Sequence, residues 1–241
     1  MCSLALLRGV ALAGLLVAAS NAAASGLQIA PTGLSLTVGG PAQALWLTNT
    51  GDKELRAQVR AFRWSQPDGK DLLEPTQSLV ASPPMLSIPP GGKQLVRVIR
   101  TGGDAPAGEQ AFRLLVDELP VDTDKKETGV KYVLRYSVPV FVGGSGAPAL
   151  AWSTSLGKDG LALDVRNSGS VHAQLSAMTL EAPTAAPVSL APGLLGYVLP
   201  GASMHWTLPV PAGTDLAHAS IKALVNGEAT DQTLAPGAPA R

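Results

Sequence analysis

Past its second residue the chain has no cysteine; Cys2 is the only one in 241 residues. Without it, neither a disulfide nor a thiolate metal site can form. A dominant sign of charge is missing too. Lys plus Arg number 18 and Asp plus Glu 18, a balance that suggests neither a nucleic-acid partner nor a polybasic membrane contact. Helical periodicity is absent as well. With 26 Gly and 20 Pro, no segment keeps an uninterrupted 3.6-residue pattern of useful length. Beyond the N-terminal stretch, no run is apolar over the roughly 20 residues a membrane span needs.

What is present begins with an export signal. Arg8 supplies a short positive region, and Gly9 to Ala19 is an apolar run made mostly of Val, Ala and Leu. Asn21-Ala22-Ala23-Ala24-Ser25 follows, with an A-x-A cleavage site after Ala24 or Ser25. Residues 1–25 therefore read as a signal peptide. A membrane anchor is the alternative, and the shortness of the apolar run disfavours it. Cleavage removes Cys2 and Arg8 and leaves 241 − 25 = 216 residues with a formal charge of 17 − 18 = −1. A soluble exported chain of that length holds two domains of about 100 residues each. With 46% apolar and 15% charged residues, part of its surface is expected to be apolar and open to a partner.

Short alternating runs fill the mature chain. Leu27-Gln28-Ile29, Leu34 to Val38, Ala44 to Thr48, Gln58 to Trp64, Leu95 to Arg100 and Phe112 to Leu119 carry apolar residues at every second position. Period-two alternation marks half-buried strands, so the fold expected is all-β. Two immunoglobulin-like β-sandwich domains account for the length.

The two halves repeat an order of signals. A strand ends in Asn49-Thr50-Gly51, and another ends in Asn167-Ser168-Gly169; Pro90-Gly91 and Pro200-Gly201 each launch a later strand. Gly takes the positive φ such turns require, and Asn tolerates it better than most residues. Two copies of one sandwich, or a chance recurrence of common turn residues, would both give this order. Gly143 to Pro148 reads as the linker. The expected division is a first domain over 26–142, the linker over 143–148, a second domain over 149–234 and a Pro- and Ala-rich tail over 235–241.

Chemistry is thin. His172, His205 and His218 have no zinc-ligand spacing and read as surface or strand-end histidines. Gly143-Gly144-Ser145-Gly146 partly mimics a nucleophile elbow, but Ala147 replaces the final Gly and no helix follows. Glu74, Asp117 and Glu118 offer carboxylates without marking a catalytic pair. No Gly-rich loop precedes a helix, so no nucleotide cradle is visible. No enzyme activity, cofactor or metal is expected.

Several elements in order resemble the periplasmic chaperones of the chaperone–usher pilus pathway, the PapD-like family. Leu45-Trp46-Leu47-Thr48-Asn49-Thr50-Gly51 is similar to that family's second strand and turn. Ser82-Pro83-Pro84-Met85-Leu86-Ser87-Ile88-Pro89-Pro90-Gly91 is similar to its x-P-P-x-x-x-x-x-P-G segment. Phe112 to Pro120, ending Glu118-Leu119-Pro120, resembles its penultimate strand, and Leu134 to Val142 fills the place of the last one. Gly196 to Gly201 fits the second domain. The resemblance covers nearly all of the mature chain.

It implies a periplasmic chaperone that lends its last first-domain strand to a pilus or fimbrial subunit and delivers that subunit to an outer-membrane usher. Backbone hydrogen bonds would give affinity, and alternate side chains would fill the subunit's groove. Val130, Tyr132, Leu134 and Tyr136 form one face of that strand and are the subunit-binding candidates. Alternation alone leaves open that this face packs into the chain's own core. A free strand edge also leads us to expect a self-capping dimer. An exported structural or adhesive tandem sandwich at the cell surface is the rival reading.

Two departures bear on the site. The family's best-known members hold the subunit's C-terminal carboxylate with an Arg in the first strand and a Lys in the last. Here Gly33 and Pro139 take those places, so the resemblance points toward the archaic branch, with its anchor elsewhere. Arg113 is the preferred replacement and Arg135 the second, since an arginine fork suits a carboxylate. The family's Y-R-P ending is replaced by Val142-Gly143-Gly144, which leaves Glu118, the expected interdomain residue, without its usual arginine.

Overall fold

The structure, a computed structural model, describes residues 26–40, 42–102, 108–120, 133–182, 185–211 and 219–233. The expected signal peptide and tail, Val130, Tyr132 and His218 lie outside the described residues. The all-β expectation holds: among the described residues the one helical element is a 3-10 turn at Pro67–Gly69.

The first sandwich is built from β1 (Leu27–Ala30), β2 (Leu34–Leu36), β3 (Gln43–Asn49), β4 (Leu55–Ser65), β5 (Leu72–Pro75), β6 (Leu79–Ser82), β7 (Met85–Ile88), β8 (Lys93–Arg100), β9 (Gln110–Leu119) and β10 (Arg135–Val142). One sheet has the order β1-β3-β8-β6, the other β2-β10-β9-β4-β5, with β7 beside β4. Alternation decides what lies between them. Leu45 and Leu47 of β3 and Val96 and Val98 of β8 meet Phe112, Leu114 and Val116 of β9 and Val138, Val140 and Val142 of β10. None of these ten is more than 1% exposed. Each buried aliphatic side chain contributes about 1.5–3 kcal/mol before ordering costs.

The second sandwich comprises β11 (Leu150–Gly157), β12 (Gly160–Asn167), β13 (Ala173–Ala182), β14 (Ala185–Val198), β15 (Ser203–Leu208), β16 (Ser220–Val225) and β17 (Glu228–Thr233). Its sheets run β11-β12-β15 and β14-β13-β16-β17. Leu161, Leu163 and Val165 of β12 face Leu175, Met178 and Leu180 of β13 across the core.

The repeated turn signals share three equivalent bonds. Asn49 accepts from Gly51 N–H at 2.9 Å through its side-chain oxygen and donates to the carbonyls of Lys53 (2.7 Å) and Ile88 (2.9 Å). Asn167 accepts from Gly169 N–H at 2.9 Å and donates to Val171 (2.8 Å) and Val198 (3.0 Å). Each asparagine is at most 1% exposed. Its amide satisfies buried carbonyls from the strand before each Pro-Gly turn, which is why Asn and Gly recur together with Pro-Gly in both halves.

Between β10 and β11 the chain is glycine-rich because of geometry rather than slackness. Gly144 has φ +81, and a Cβ there would fall 2.8 Å from Glu109 Cβ and 3.2 Å from Val171. Gly146 has φ +102 and would meet the Ser170 hydroxyl at 2.6 Å. The segment is pressed against both domains, in a conformation that L side chains avoid.

Candidate functional site

β10 has two unlike edges. Along one, every residue from Arg135 to Val142 pairs with β9. Along the other, Val140, Phe141 and Val142 pair in parallel with Leu34, Ser35 and Leu36 of β2. Glu118 N–H donates to the Leu134 carbonyl at 2.9 Å, so those residues face each other as a hydrogen-bonded pair. In an antiparallel ladder such pairs alternate with unbonded ones. Tyr136 and Val138 therefore turn their backbone groups toward β9, while Arg135 and Ser137 turn theirs outward. Pro139, next in the outward series, has no N–H to offer. Among the described residues, no strand pairs with the outward groups of Arg135 and Ser137. An edge of this kind is a template for another chain.

The side chains of this strand divide by face. Leu134 and Tyr136 are half-buried against the first core, on the same face as Val138, Val140 and Val142. The face left open by the sequence thus turns, at these two residues, into the mouth of its own sandwich. Tyr136 spans that mouth. Val133, on the opposite side, is 53% exposed.

The outer face of the same sheet leads to the junction between the domains. Arg113 on β9 lies opposite Pro139 of β10 and Phe62 of β4. A Cβ on Gly33 would fall 3.5 Å from Pro139 Cγ, so Gly33, Pro139 and Arg113 are neighbours. One turn of the face further on, Trp64, Ala111 and Phe141 are covered by Tyr197 and Leu199 of the second domain. The Arg113 guanidinium stands 3.7 Å from the centre of the Trp64 ring and 5.1 Å from that of Tyr197. Burial pushes its pKa below the ordinary arginine value, against the opposing attraction of Asp71 and Tyr197. Among the described residues it forms no ion pair. It is a half-buried cation resting on aromatic rings, with the Asp71 charge near it but no carboxylate bonded to its fork.

Arg135 is differently placed. Its Nε bonds Asp117 Oδ1, while Arg60 Nη2 bonds Asp117 Oδ2 at 2.7 Å. Burial alone would raise the Asp117 pKa; the hydrogen bonds and charges of Arg135 and Arg60 outweigh it and hold the carboxyl below its usual value. Arg135 is thus already engaged within the chain, though it shares the single Asp117 carboxylate with Arg60.

The expectation for Glu118 is corrected by the structure. Glu118 sits at the end of β9 away from the second domain, where its carboxylate accepts from Leu134 N–H at 3.2 Å. The interdomain carboxylate is Glu109, nine residues earlier, about 30 Å away along an extended strand. Glu109 accepts from His172 N–H at 2.8 Å and lies 2.9 Å from His172 Nδ1. The imidazole is stacked on Phe141, with ring centres 3.4 Å apart and planes at 3°. Sequence reading singled out neither Glu109 nor Phe141, and nothing local distinguishes them, because their partners lie in the other domain. Among the described residues, no group of three His, Cys, Asp or Glu side chains is arranged to hold a metal ion.

The family model for pili and flagellar-assembly chaperones, PapD N-terminal domain, matches residues 26–147. The chain belongs to this chaperone family. Among solved structures, it is similar to the chaperone of the CsuC–CsuE chaperone–tip subunit pre-assembly complex, from archaic chaperone–usher Csu pili of Acinetobacter baumannii. That match has 26% identity and a TM-score of 0.66, and covers 87% of this chain and 99% of the other. The Salmonella enterica complex of SafA pilin with the SafB chaperone matches at 16% identity and TM-score 0.62, over 90% and 99% of the two chains. The Pseudomonas aeruginosa CupB2 chaperone matches at 16% and 0.60, over 86% and 100%. The last two speak for the fold alone. Comparison with curated protein sequences gave no significant match. As in the sequence reading, the chaperone resembles the archaic branch.

Proposed function

We propose that this chaperone works in the periplasm, capping pilus subunits by lending them the free edge of β10 and passing them to an outer-membrane usher. It acts by binding and not as an enzyme. The observation that carries the reading is the edge itself: the outward backbone groups of Arg135 and Ser137 have no strand beside them, and β2 covers the edge only from Val140. A subunit with an incomplete sandwich has the complementary need. Leu134 and Tyr136, with Val130 and Tyr132 preceding them, supply the side chains on the groove-filling face.

Arg113 is the anchor for the subunit's terminal carboxylate. The clamp positions Gly33 and Pro139 carry no charge, and Arg113 is the cation beside Pro139, half-buried and one strand away from Gly33. Arg135 is the weaker candidate because Asp117 already holds it.

Co-expression with a candidate subunit tests this. Wild-type chain should co-purify with the subunit from the periplasm, with residues 1–25 absent by mass spectrometry. Arg113→Ala should stay folded by circular dichroism and lose about 1.5–3 kcal/mol of binding, the range for a charge-assisted contact. Full recovery of complex with Arg113→Ala would exclude it as the anchor, and failure of any subunit to co-purify would refute the capping role.

A further inference from the structure

The shelf under Arg113 is built by both domains. Trp64, 3% exposed, is fixed by its indole N–H, which donates to Asp71 Oδ1 at 2.9 Å. The same oxygen accepts from Gln66 Nε2 at 2.9 Å. Gln66 then reaches across the junction. Its Nε2 donates to the Tyr197 carbonyl at 3.0 Å, and its Oε1 accepts from Leu199 N–H at 2.8 Å. Both amide N–H groups and the amide oxygen are thus engaged, at a residue 8% exposed. Tyr197 stands edge-on to Trp64, with centroids 5.5 Å apart and planes at 84°. The guanidinium of Arg113 therefore touches one ring from each domain.

We propose that Gln66 is a positioning residue for client binding. By tying Tyr197 and Leu199 to the Asp71–Trp64 shelf, it sets where the Arg113 guanidinium lies. The grip on a client carboxylate then depends on how the two domains are docked. The proposal rests on the reading of Arg113 as anchor and extends it to the second domain. Three physical points support it. A cation–π contact depends on where the ring is held, and Trp64 is held through Asp71. Asp71 is exposed, and the hydrogen bonds of Trp64 and Gln66, together with the attraction of Arg113, hold its carboxylate in place. Removing the Gln66 amide also strands the buried Tyr197 carbonyl and Leu199 N–H, and the domain junction must shift to let water reach them. A plain staple between domains would need only the last of these bonds. The shared Asp71 oxygen is what carries the junction's geometry to the anchor.

The test follows Arg113 directly in the mature full-length protein. With 15N-labelled arginine, the Arg113 side-chain protons should be shifted upfield by the Trp64 and Tyr197 rings. The binding probe is the C-terminal dodecapeptide of a co-purifying pilus subunit, as free acid and as C-terminal amide. In Gln66→Leu the ring-current shift should collapse, and the preference for acid over amide should fall about tenfold, the scale of weakening one charged contact. Because Gln66→Leu could unfold the junction, Asp71→Ala provides a second route at an exposed site. It removes the acceptor shared by Trp64 and Gln66 and should release Arg113; because it also removes a charge that attracts Arg113, Asp71→Asn, which keeps an acceptor oxygen without the charge, is its control. Arg113 resonances unchanged in a folded Gln66→Leu or in Asp71→Ala would overturn the proposal. If wild-type chain shows no preference for the acid while Gln66→Leu still moves Arg113, the positioning stands and the anchor reading fails.

Discussion

Tyr136 Oη donates to the Leu27 carbonyl at 2.6 Å, joining β10 in one sheet to β1 in the other. The bond crosses the mouth of the first sandwich where the edge of β10 is free. Removing the hydroxyl should loosen the mouth without emptying it. Tyr136→Phe is expected to cost the free protein about 0.5–1.5 kcal/mol, the net value of one such bond. Urea unfolding measures this, and co-purification should show that subunit capture is kept.

Leu134 meets two demands, since it packs on its own core and precedes the free edge. Half burial limits the cost of truncation in the free chain. Leu134→Ala should lower stability by about 1 kcal/mol, below the 2–5 kcal/mol of a fully buried leucine. Subunit capture should fall further than stability does. Leu134→Glu should widen the difference, because at this half-buried position the charge keeps part of its hydration until a client covers it. A large drop in melting temperature with normal capture per folded molecule would place Leu134 in the chaperone's core alone.

Acid should act through Asp117. Its carboxyl is held below the ordinary value of 3.8 in the folded chain. Once unfolded it binds a proton at the ordinary value, so its stabilising contribution is full above about pH 4 and is lost as pH falls through the folded pKa. Asp117→Asn should be less stable than wild type near neutrality, and the difference should shrink toward pH 3. Thermal melts over that range read the outcome directly, and a gap that widens in acid would contradict it.

Gly144 is predicted to tolerate no side chain. Alanine there incurs about 1–2 kcal/mol for a left-handed backbone. Its Cβ also meets Glu109 Cβ at 2.8 Å, beside the bond to His172. Gly144→Ala should therefore destabilise the chain and change its small-angle scattering profile, whereas Gly91→Ala, with open space around it, should leave the profile unchanged.

Much of this architecture could be read from the chain, and the division has a physical basis. Alternation at Leu45-Trp46-Leu47 or Phe112 to Val116 is local, so the strands and their inward faces were legible. The Asn-x-Gly and Pro-Gly signals were legible because one buried asparagine must satisfy fixed backbone groups in each sandwich. Glu109, Gln66 and Phe141 were not. Their roles come from Tyr197, Leu199 and His172, placed by pairings that leave no period in the sequence. The error over Glu118 has the same origin. The two glutamates stand at opposite ends of one strand, and only its direction relative to the second domain tells them apart. The adjacency of Gly33, Pro139 and Arg113 likewise needed the parallel approach of β2 to β10, a contact between residues a hundred positions apart.

That short parallel pairing has a consequence for length. β2 takes the edge of β10 from Val140 onward, and Pro139 just before it contributes no donor. A strand arriving along Arg135 and Ser137 meets a stop at a point fixed by the backbone of this chain. On the proposed reading, such a strand would end at the same residue whatever side chains it carries, with Arg113 one strand away across Pro139. The arrangement works as a ruler: it sets the position of a guest strand by where the strand runs out of room, so guests of different sequence would all be read from the same zero mark.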